Sequence, residues 1–263
     1  MRSITCFLAC LLLTSALAQS PSAILAPTGT LRAAFLGGNP VQGRVDPQTG
    51  AASGPVPDLV KELARKLGVP YKIIPAPGAA AVIDAVKSHT ADIGFLAYDA
   101  ARAKDVDFGG PFIVMFNSYL VRASSPIQKN GDVDRSGVTV AAVKGQTQEL
   151  FVSGQMKNAR VRVFETMPPP AEVEALLTSG EVDAFAVNRQ RSLEAQSSSG
   201  AKLRALPDSF LDVEQSFVVA KGEREKLTAI EAFVAEVRAS GFVKASIERA
   251  GVTGVDVATG KKR

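Results

Sequence analysis

AAAVIDAVKSHTADIGFLAYDAAR, residues 79–102, decides how this chain is read. Val82, Ile83 and Val86 fall on one face of a helix over 80–88. A polar turn follows, and Ile93–Tyr98 is an apolar run of strand length. The run breaks at Tyr98-Asp99 and then presents one arginine, Arg102. A helix leading into a fully apolar strand is a unit of parallel α/β architecture. A buried strand has no need of a cation just past its end, whereas a ligand could use one.

The unit has an echo in AEVEALLTSGEVDAFAVNRQR, residues 171–191. Each copy has a helix, a polar turn, an aspartate (Asp92, Asp183), an apolar strand and polar residues with arginine. The echo is either coincidence between two α/β units or the mark of two similar lobes. Open α/β sheets bind ligands beyond the carboxyl ends of their strands. Two facing lobes would put Arg102 and Asn188 across one cleft.

The same alternation extends along the chain. Strands are predicted at 31–36, 71–74, 119–122, 139–143, 161–164, 184–187 and 215–220. Helices are predicted from Pro57-Asp58 to Gly68, over 147–153 and 171–179, and around 225–240 with Gly241 as the stop. Residues 21–29 read as a short tether.

The chain has 263 residues, 46% of them hydrophobic, which suits one large domain or two medium ones. The formal charge of +4 is scattered, and the only basic cluster is Lys261-Lys262-Arg263. Without a basic stripe interleaved with aromatics, nucleic-acid binding is not expected. MRSITCFLACLLLTSALAQS has one arginine, an apolar run and Ala16-Leu17-Ala18 before Gln19, the pattern of a secretory signal peptide over 1–18. The run is too short for a membrane anchor, and a lipoprotein modified at Cys10 would have almost no apolar segment before its cysteine. Both cysteines, Cys6 and Cys10, lie inside the signal, so the mature chain would hold no disulfide and no thiol. With His89 the only histidine, a His-rich zinc site is excluded, and neither a metal nor a cofactor is expected.

The pieces LRAAF (31–35), PDLVKELARKLGV (57–69), VIDAVKSHTADIGF (82–95), ARAKDVDFGGPF (101–112), VTVAAVKGQTQE (138–149), ALLTSGEVDAFAVN (175–188) and FVVAKGE (217–223) are each weak alone. In this order and at these spacings, the chain resembles the bacterial extracellular solute-binding proteins of family 3, which serve polar amino-acid uptake, over about residues 29–250. The resemblance implies a two-lobed, type II periplasmic-binding-protein fold of class α/β. Each lobe would be a mostly parallel sheet flanked by helices. The first lobe would take 29–117 and 212–258, the second 118–211. Two hinge strands would join them near Phe116–Tyr119 and Leu211–Gln215.

The resemblance also implies ligand contacts at Arg102, Asp99, Tyr98, Ala97, Gln146, Thr147, Asn188 and Asn39. Arg102 stands where the family holds a ligand carboxylate, and a guanidinium's planar fork suits that task. A surface ion pair of Arg102 with Asp99 or Asp105 is the alternative. Asp99 stands where the family usually has Thr and is expected to cap a turn over 100–103. Lys144-Gly145-Gln146-Thr147 matches a second carboxylate-binding loop, where the N–H after glycine and the Thr hydroxyl face the anion. An ordinary strand-to-helix turn needs the same residues. Asp92 and Asp107 recur in the family outside the ligand contacts.

Three departures matter. Asn188 occupies the place of an Asp that receives the α-ammonium, and an amide supplies no charge. Asn39 and Ala79 replace aromatic rings. Phe95, Leu96 and Ala97 replace small hydroxyl residues, so Tyr98 or Phe95 would have to supply ring contact. These changes point to a small organic anion over an ordinary α-amino acid.

The expected protein is thus a non-enzymatic, periplasmic, monomeric binder that delivers a small carboxylate ligand to a membrane ABC permease. A dehydratase of prephenate-like acids and a ligand-binding sensor component are the rival readings on this fold. The first would need a positioned general acid, and Asp99 is the only cleft carboxylate the sequence offers.

Overall fold

A computed structural model describes residues 20–259. The signal peptide read over 1–18 lies outside them, as does the basic cluster 261–263. The elements run α1 (Pro21–Leu25), β1 (Leu31–Leu36), β2 (Arg44–Val45), β3 (Ala52–Ser53), α2 (Pro55–Leu67), β4 (Tyr71–Ala76), α3 (Ala79–Lys87), β5 (Ile93–Ala97) and β6 (Val106–Arg122). They continue with β7 (Thr139–Val143), α4 (Thr147–Gln155), β8 (Arg160–Phe164), α5 (Pro170–Ser179), β9 (Ala184–Asn188), α6 (Arg189–Ser198) and β10 (Leu203–Ala205). The last are β11 (Leu211–Ala220), α7 (Arg224–Ala239), α8 (Phe242–Arg249) and β12 (Val255–Val257).

One hydrogen-bonded sheet runs in the order β4-β1-β5-β11-β6-β9-β7-β8. The β4-β1-β5 group is parallel, and so is the β9-β7-β8 group. Between them, β11 and β6 pair antiparallel with each other and with the flanking groups. The order therefore reads alike from either end. The unit β1-α2-β4-α3-β5 has its counterpart in β7-α4-β8-α5-β9, so the sequence echo extends to a shared topology.

Alternation along the strands divides each half's core between two faces. Leu31, Ala33 and Phe35 of β1, with Ile93 and Phe95 of β5, enter one cluster, while Ala34 and Leu96 enter another. In the second half Val140, Ala142, Ala184 and Ala186 face one side and Ala141, Val143, Phe185 and Val187 the other. On β6, Met115 belongs to the first half's core and Tyr119 to the second's.

Local chemistry sets the elements. In α2 two prolines occupy the first turn, and Val56, Leu59, Val60 and Leu63 form the buried stripe. Gly68 ends it in the left-handed region at φ 67°, where a side chain would be strained. Gly94 is needed for another reason. A Cβ there would lie 2.7 Å from Val82 Cγ1 and 2.9 Å from Val218 Cγ2, so α3 could not sit this close to β5.

Several expectations are corrected. Residues 21–25 form a helix capped by Ser20, and Leu25 and Ala26 are core residues, so this stretch is no tether. The strand expected at 119–122 is the end of the long β6, whose first part the sequence obscures with Gly109, Gly110 and Pro111. Helix α6 was not expected, because RQRSLEAQSS has almost no apolar face. Gly241 ends α7 but also starts α8.

Candidate functional site

The ends of β1, β5, β7 and β9 converge between the two halves. Asp99 Oδ1 accepts the main-chain N–H of Ala101 at 2.9 Å and of Arg102 at 3.2 Å. This is the expected cap of the turn over 100–103, which the Ala103 N–H closes on the Asp99 carbonyl at 3.0 Å and which runs into a 3₁₀ turn over Arg102–Lys104. The cap fixes the backbone from which the Arg102 side chain leaves.

Arg102 is 8% exposed. Its Nη1 donates to the Ala97 carbonyl at 3.0 Å and its Nη2 to the Gly145 carbonyl, in the other half, at 2.8 Å. No carboxylate oxygen among the described residues lies within 4.0 Å of it, and Asp105 pairs with Lys87 instead. The alternative of a surface ion pair is thereby overturned. Burial pushes the Arg102 pKa below its ordinary value, opposed by the charge of Asp99. Two of the guanidinium's five N–H donors are engaged by carbonyls.

The other expected residues divide. Asn188 Oδ1 accepts the Arg191 N–H at 2.8 Å, so this side chain caps α6. Its Nδ2 stands 3.5 Å from Asn39 Oδ1, which also accepts the Val41 N–H at 3.1 Å. Asn39 and Asn188 thus meet across the halves. Thr147 is buried and its hydroxyl makes no hydrogen bond among the described residues. Tyr98 is 37% exposed and its ring meets Phe108 edge-on at 5.1 Å.

Two expectations fail. The Gln146 N–H does not face the cleft as a free donor, since it turns back to the Val143 carbonyl at 3.2 Å. The Gly145 N–H is held by Glu149 Oε2 at 3.2 Å. Phe95 supplies no ring to a ligand. It is fully buried, with its ring 4.4 Å from Phe217 and 5.8 Å from Phe112.

A cavity of about 340 Å³ opens beside Asp99, lined by residues of both halves that include Tyr98, Thr147, Phe151, Asp212 and Glu214. Beneath the site lie buried amides the sequence did not single out. Gln42 Nε2 donates to Gln215 Oε1 at 2.9 Å, and Gln148 Nε2 to Asn117 Oδ1 at 2.6 Å. Asn117 in turn donates to the Leu211 carbonyl at 2.7 Å, tying β6 to β11.

Arg191 is the residue the sequence reading passed over. It is half-buried at the start of α6, and its Nη2 donates to the Gly38 carbonyl of the other half at 2.8 Å. Burial lowers its pKa, Glu194 opposes this and Arg44 adds to it. The arginine that closes the 171–191 echo was the available signal. Beside it, Arg44 pairs with Glu194 across the halves. Thr253 Oγ1 donates to Gln190 Oε1 at 3.0 Å.

Asp92 and Asp107 are structural as expected. Asp92 holds Arg32, and Asp107 holds Lys221 and the Gly222 N–H. His89 is 61% exposed at a turn in the first half, near Glu223. Among the described residues no group of three or more His, Cys, Asp or Glu could hold a metal ion. None of their helices is long and apolar enough to cross a membrane.

The profile of the bacterial extracellular solute-binding proteins, family 3, matches residues 31–251. The chain belongs to this family. The L-cystine-binding protein TcyJ of Escherichia coli (strain K12) is 23% identical over 194 residues, 73% of this chain and 71% of that protein. Among solved structures, the amino acid ABC transporter substrate-binding protein AbpA from Streptococcus pneumoniae Canada MDR_19A, bound to L-arginine, aligns with a TM-score of 0.70 at 22% identity, covering 86% of this chain and 96% of that one. The ancestral amino acid-binding protein AncCDT-1, a precursor of cyclohexadienyl dehydratase, aligns with a TM-score of 0.72 at 23% identity, covering 88% and 99%. The fold is the type II periplasmic-binding-protein fold, as the order of its strands also indicates.

Proposed function

We propose that this family member captures a small carboxylate-bearing solute in the cleft between its halves and delivers it to an ABC-type membrane importer. One observation carries the reading. Arg102 is a buried guanidinium at the cleft with no carboxylate partner. A buried cation held only by carbonyls is costly, and an incoming anion offsets that cost. A guanidinium presents parallel N–H bonds to such an anion.

In this reading Thr147 offers its free hydroxyl. Asn188 and Asn39 offer amides, and Tyr98 closes one side. The Ala97 carbonyl positions the Arg102 guanidinium, and Gln146, whose N–H is held by the Val143 carbonyl, drops out of the ligand contacts. Asp99 acts by capping the turn that aims Arg102. The lobes comprise 29–117 with 212–258, and 118–211. The crossing strands β6 and β11 serve as the hinge, and closure about it is the working motion. The protein works as a periplasmic monomer after removal of residues 1–18. In this reading it carries no catalytic step, and Asp99 is engaged in capping.

The test is thermal unfolding of the chain from Gln19 onward with amino acids, keto acids, dicarboxylates and aromatic acids. A ligand bound only by the native state raises the midpoint by mass action. The expected result is a rise with a carboxylate that vanishes in Arg102→Ala. A rise that survives Arg102→Ala, or none across the panel, would overturn the reading.

A further inference from the structure

Arg102 and Arg191 are placed alike. Asp99 follows β5 and caps the Arg102 N–H, while Asn188 ends β9 and caps the Arg191 N–H, each three residues ahead of its arginine. Each Nη2 then donates at 2.8 Å to a glycine carbonyl of the opposite half, Arg102 to Gly145 and Arg191 to Gly38. The acceptors also correspond. Gly38 lies two residues past the end of β1, and Gly145 two past the end of β7. The cleft is thus closed by two arginines exchanged between equivalent positions.

Neither guanidinium has a carboxylate oxygen within 4.0 Å among the described residues. Glu194, the acid nearest Arg191 on its own helix, is taken by Arg44 and by Gln190 Nε2. Burial disfavours the charged form of both arginines. Their carbonyl acceptors Ala97 and Gly38 stand at the ends of β5 and β1, which are paired neighbours. The pairing of these strands ends at Ala34–Gly94, and beyond it the Gln42 side chain bridges them, accepting the Leu36 N–H at 2.9 Å and donating to the Phe95 carbonyl at 3.3 Å, so the two cations hold strand ends separated by one amide side chain. Beside Arg191, Asn188 and Asn39 present amides, whereas Asp99, Asp212 and Glu214 line the cavity beside Tyr98 and Thr147.

We propose that the ligand is a dianion, a short dicarboxylate without an ammonium group, with one carboxylate on Arg102 and the other on Arg191. This rests on the carboxylate reading above and adds Arg191 as a residue that sets specificity. Each carboxylate would take over a guanidinium now held by neutral carbonyls. A carboxylate meets a guanidinium through parallel bonds between opposite charges, which a neutral carbonyl acceptor cannot supply.

Isothermal titration of the chain from Gln19 onward with succinate, 2-oxoglutarate, glutamate and butyrate tests it. Succinate or 2-oxoglutarate should bind at least about tenfold tighter than butyrate and glutamate, the scale of one charge-assisted contact. R191Q should remove that preference, R191K should retain most of it, and R102Q should abolish binding of all four. Butyrate or glutamate binding as tightly as the dicarboxylates, yet lost in R102Q, would overturn the dianion and leave the carboxylate reading standing. Binding indifferent to R102Q would overturn both. No binding of any of the four would overturn the dianion alone, since the wider panel decides the reading. Circular dichroism checks that the variants fold, and if R191Q does not, the ranking on the unaltered chain decides.

Discussion

At the start of β5, Asp92 donates its N–H to the Arg32 carbonyl and accepts the Arg32 N–H on its carboxylate, both at 2.8 Å. At the start of β9, Asp183 makes the same exchange with Thr139, at 2.8 and 2.9 Å. The backbone problem is identical: a parallel strand begins beside its neighbour and leaves an N–H to satisfy. The side chains around it differ. Asp92 also takes the Arg32 guanidinium at 3.0 and 2.6 Å and is almost fully buried. Asp183 is a quarter exposed and meets Arg122 only at 3.6 Å. The two halves share a frame, and the first half has turned one of its joints into an ion pair between a buried carboxylate and a half-buried guanidinium.

The sharpest way to break the comparison is to remove both aspartates in turn. Asp92→Ala leaves a half-buried guanidinium and an N–H without partners. It should cost about 2 kcal/mol, because a hydrogen bond to a charged partner and one to a main-chain N–H are both lost. Asp183→Ala loses one hydrogen bond at a wetter site and should cost about 1 kcal/mol. Urea unfolding of the two variants measures the difference. Equal costs would mean that the guanidinium contributes nothing and that both aspartates serve only the backbone.

The caps give a smaller contrast. Asn188 opens a ten-residue helix, whereas Asp99 opens a single turn over 100–103. Asn188→Ala should therefore destabilise by about 1 kcal/mol. Asp99→Ala should cost less than that, since fewer orphan N–H groups depend on it, and it also removes the charge that favours ionised Arg102. Asn188→Asp preserves the cap and should leave stability within about 0.5 kcal/mol. It places a carboxylate by Arg191, and by titration it should admit α-amino acids at the expense of dicarboxylates.

The same contrast explains what was legible in the sequence. Strands β5, β7 and β9 are buried on both faces, so apolar runs with flanking turns announced them. Helix α2 announced itself by its stripe and its glycine stop. Helix α6 was silent because polar side chains, not an apolar face, hold it in place: Arg189 donates to the Pro207 carbonyl, and Gln190 and Gln196 accept from Thr253 and the Ala205 N–H. The first part of β6 was hidden because Gly109, Gly110 and Pro111 sit inside it where α7 packs closely. Arg102 and Asp99 could be read from their position past an apolar strand. Arg191 could have been read by the same rule, but it stands beyond Asn188 with Arg189 and Gln190 between. Which arginine turns inward depends on helix phase, and the helix itself was not foreseen. The amides Gln42, Asn117, Gln148 and Gln215 carry no sequence pattern, because only the meeting of distant strands makes them partners.

Acid separates the halves in a last, smaller way. Asp46 in the first half accepts the N–H groups of Gln48 and Thr49 and stabilises one local turn. Asp134 in the second half accepts those of Lys157, Asn158 and Ala159, joining two segments far apart in the chain. These bonds hold both carboxyls below the usual carboxylate range. A carboxyl whose folded pKa lies below its unfolded value adds stability that is present above the unfolded value, about 3.9 for Asp. That stability is lost as pH falls through the folded value. Protonating Asp46 frees a turn, whereas protonating Asp134 frees the loop that leads into β8. Hydrogen exchange followed from pH 5 downward should show residues 157–164 losing protection before β1 and β5 do. Asp134→Asn should bring that loss forward to neutral pH, while Asp46→Asn should leave both halves unchanged. Equal loosening of the two halves, with Asp134→Asn silent, would show that the joined segments are held by packing alone.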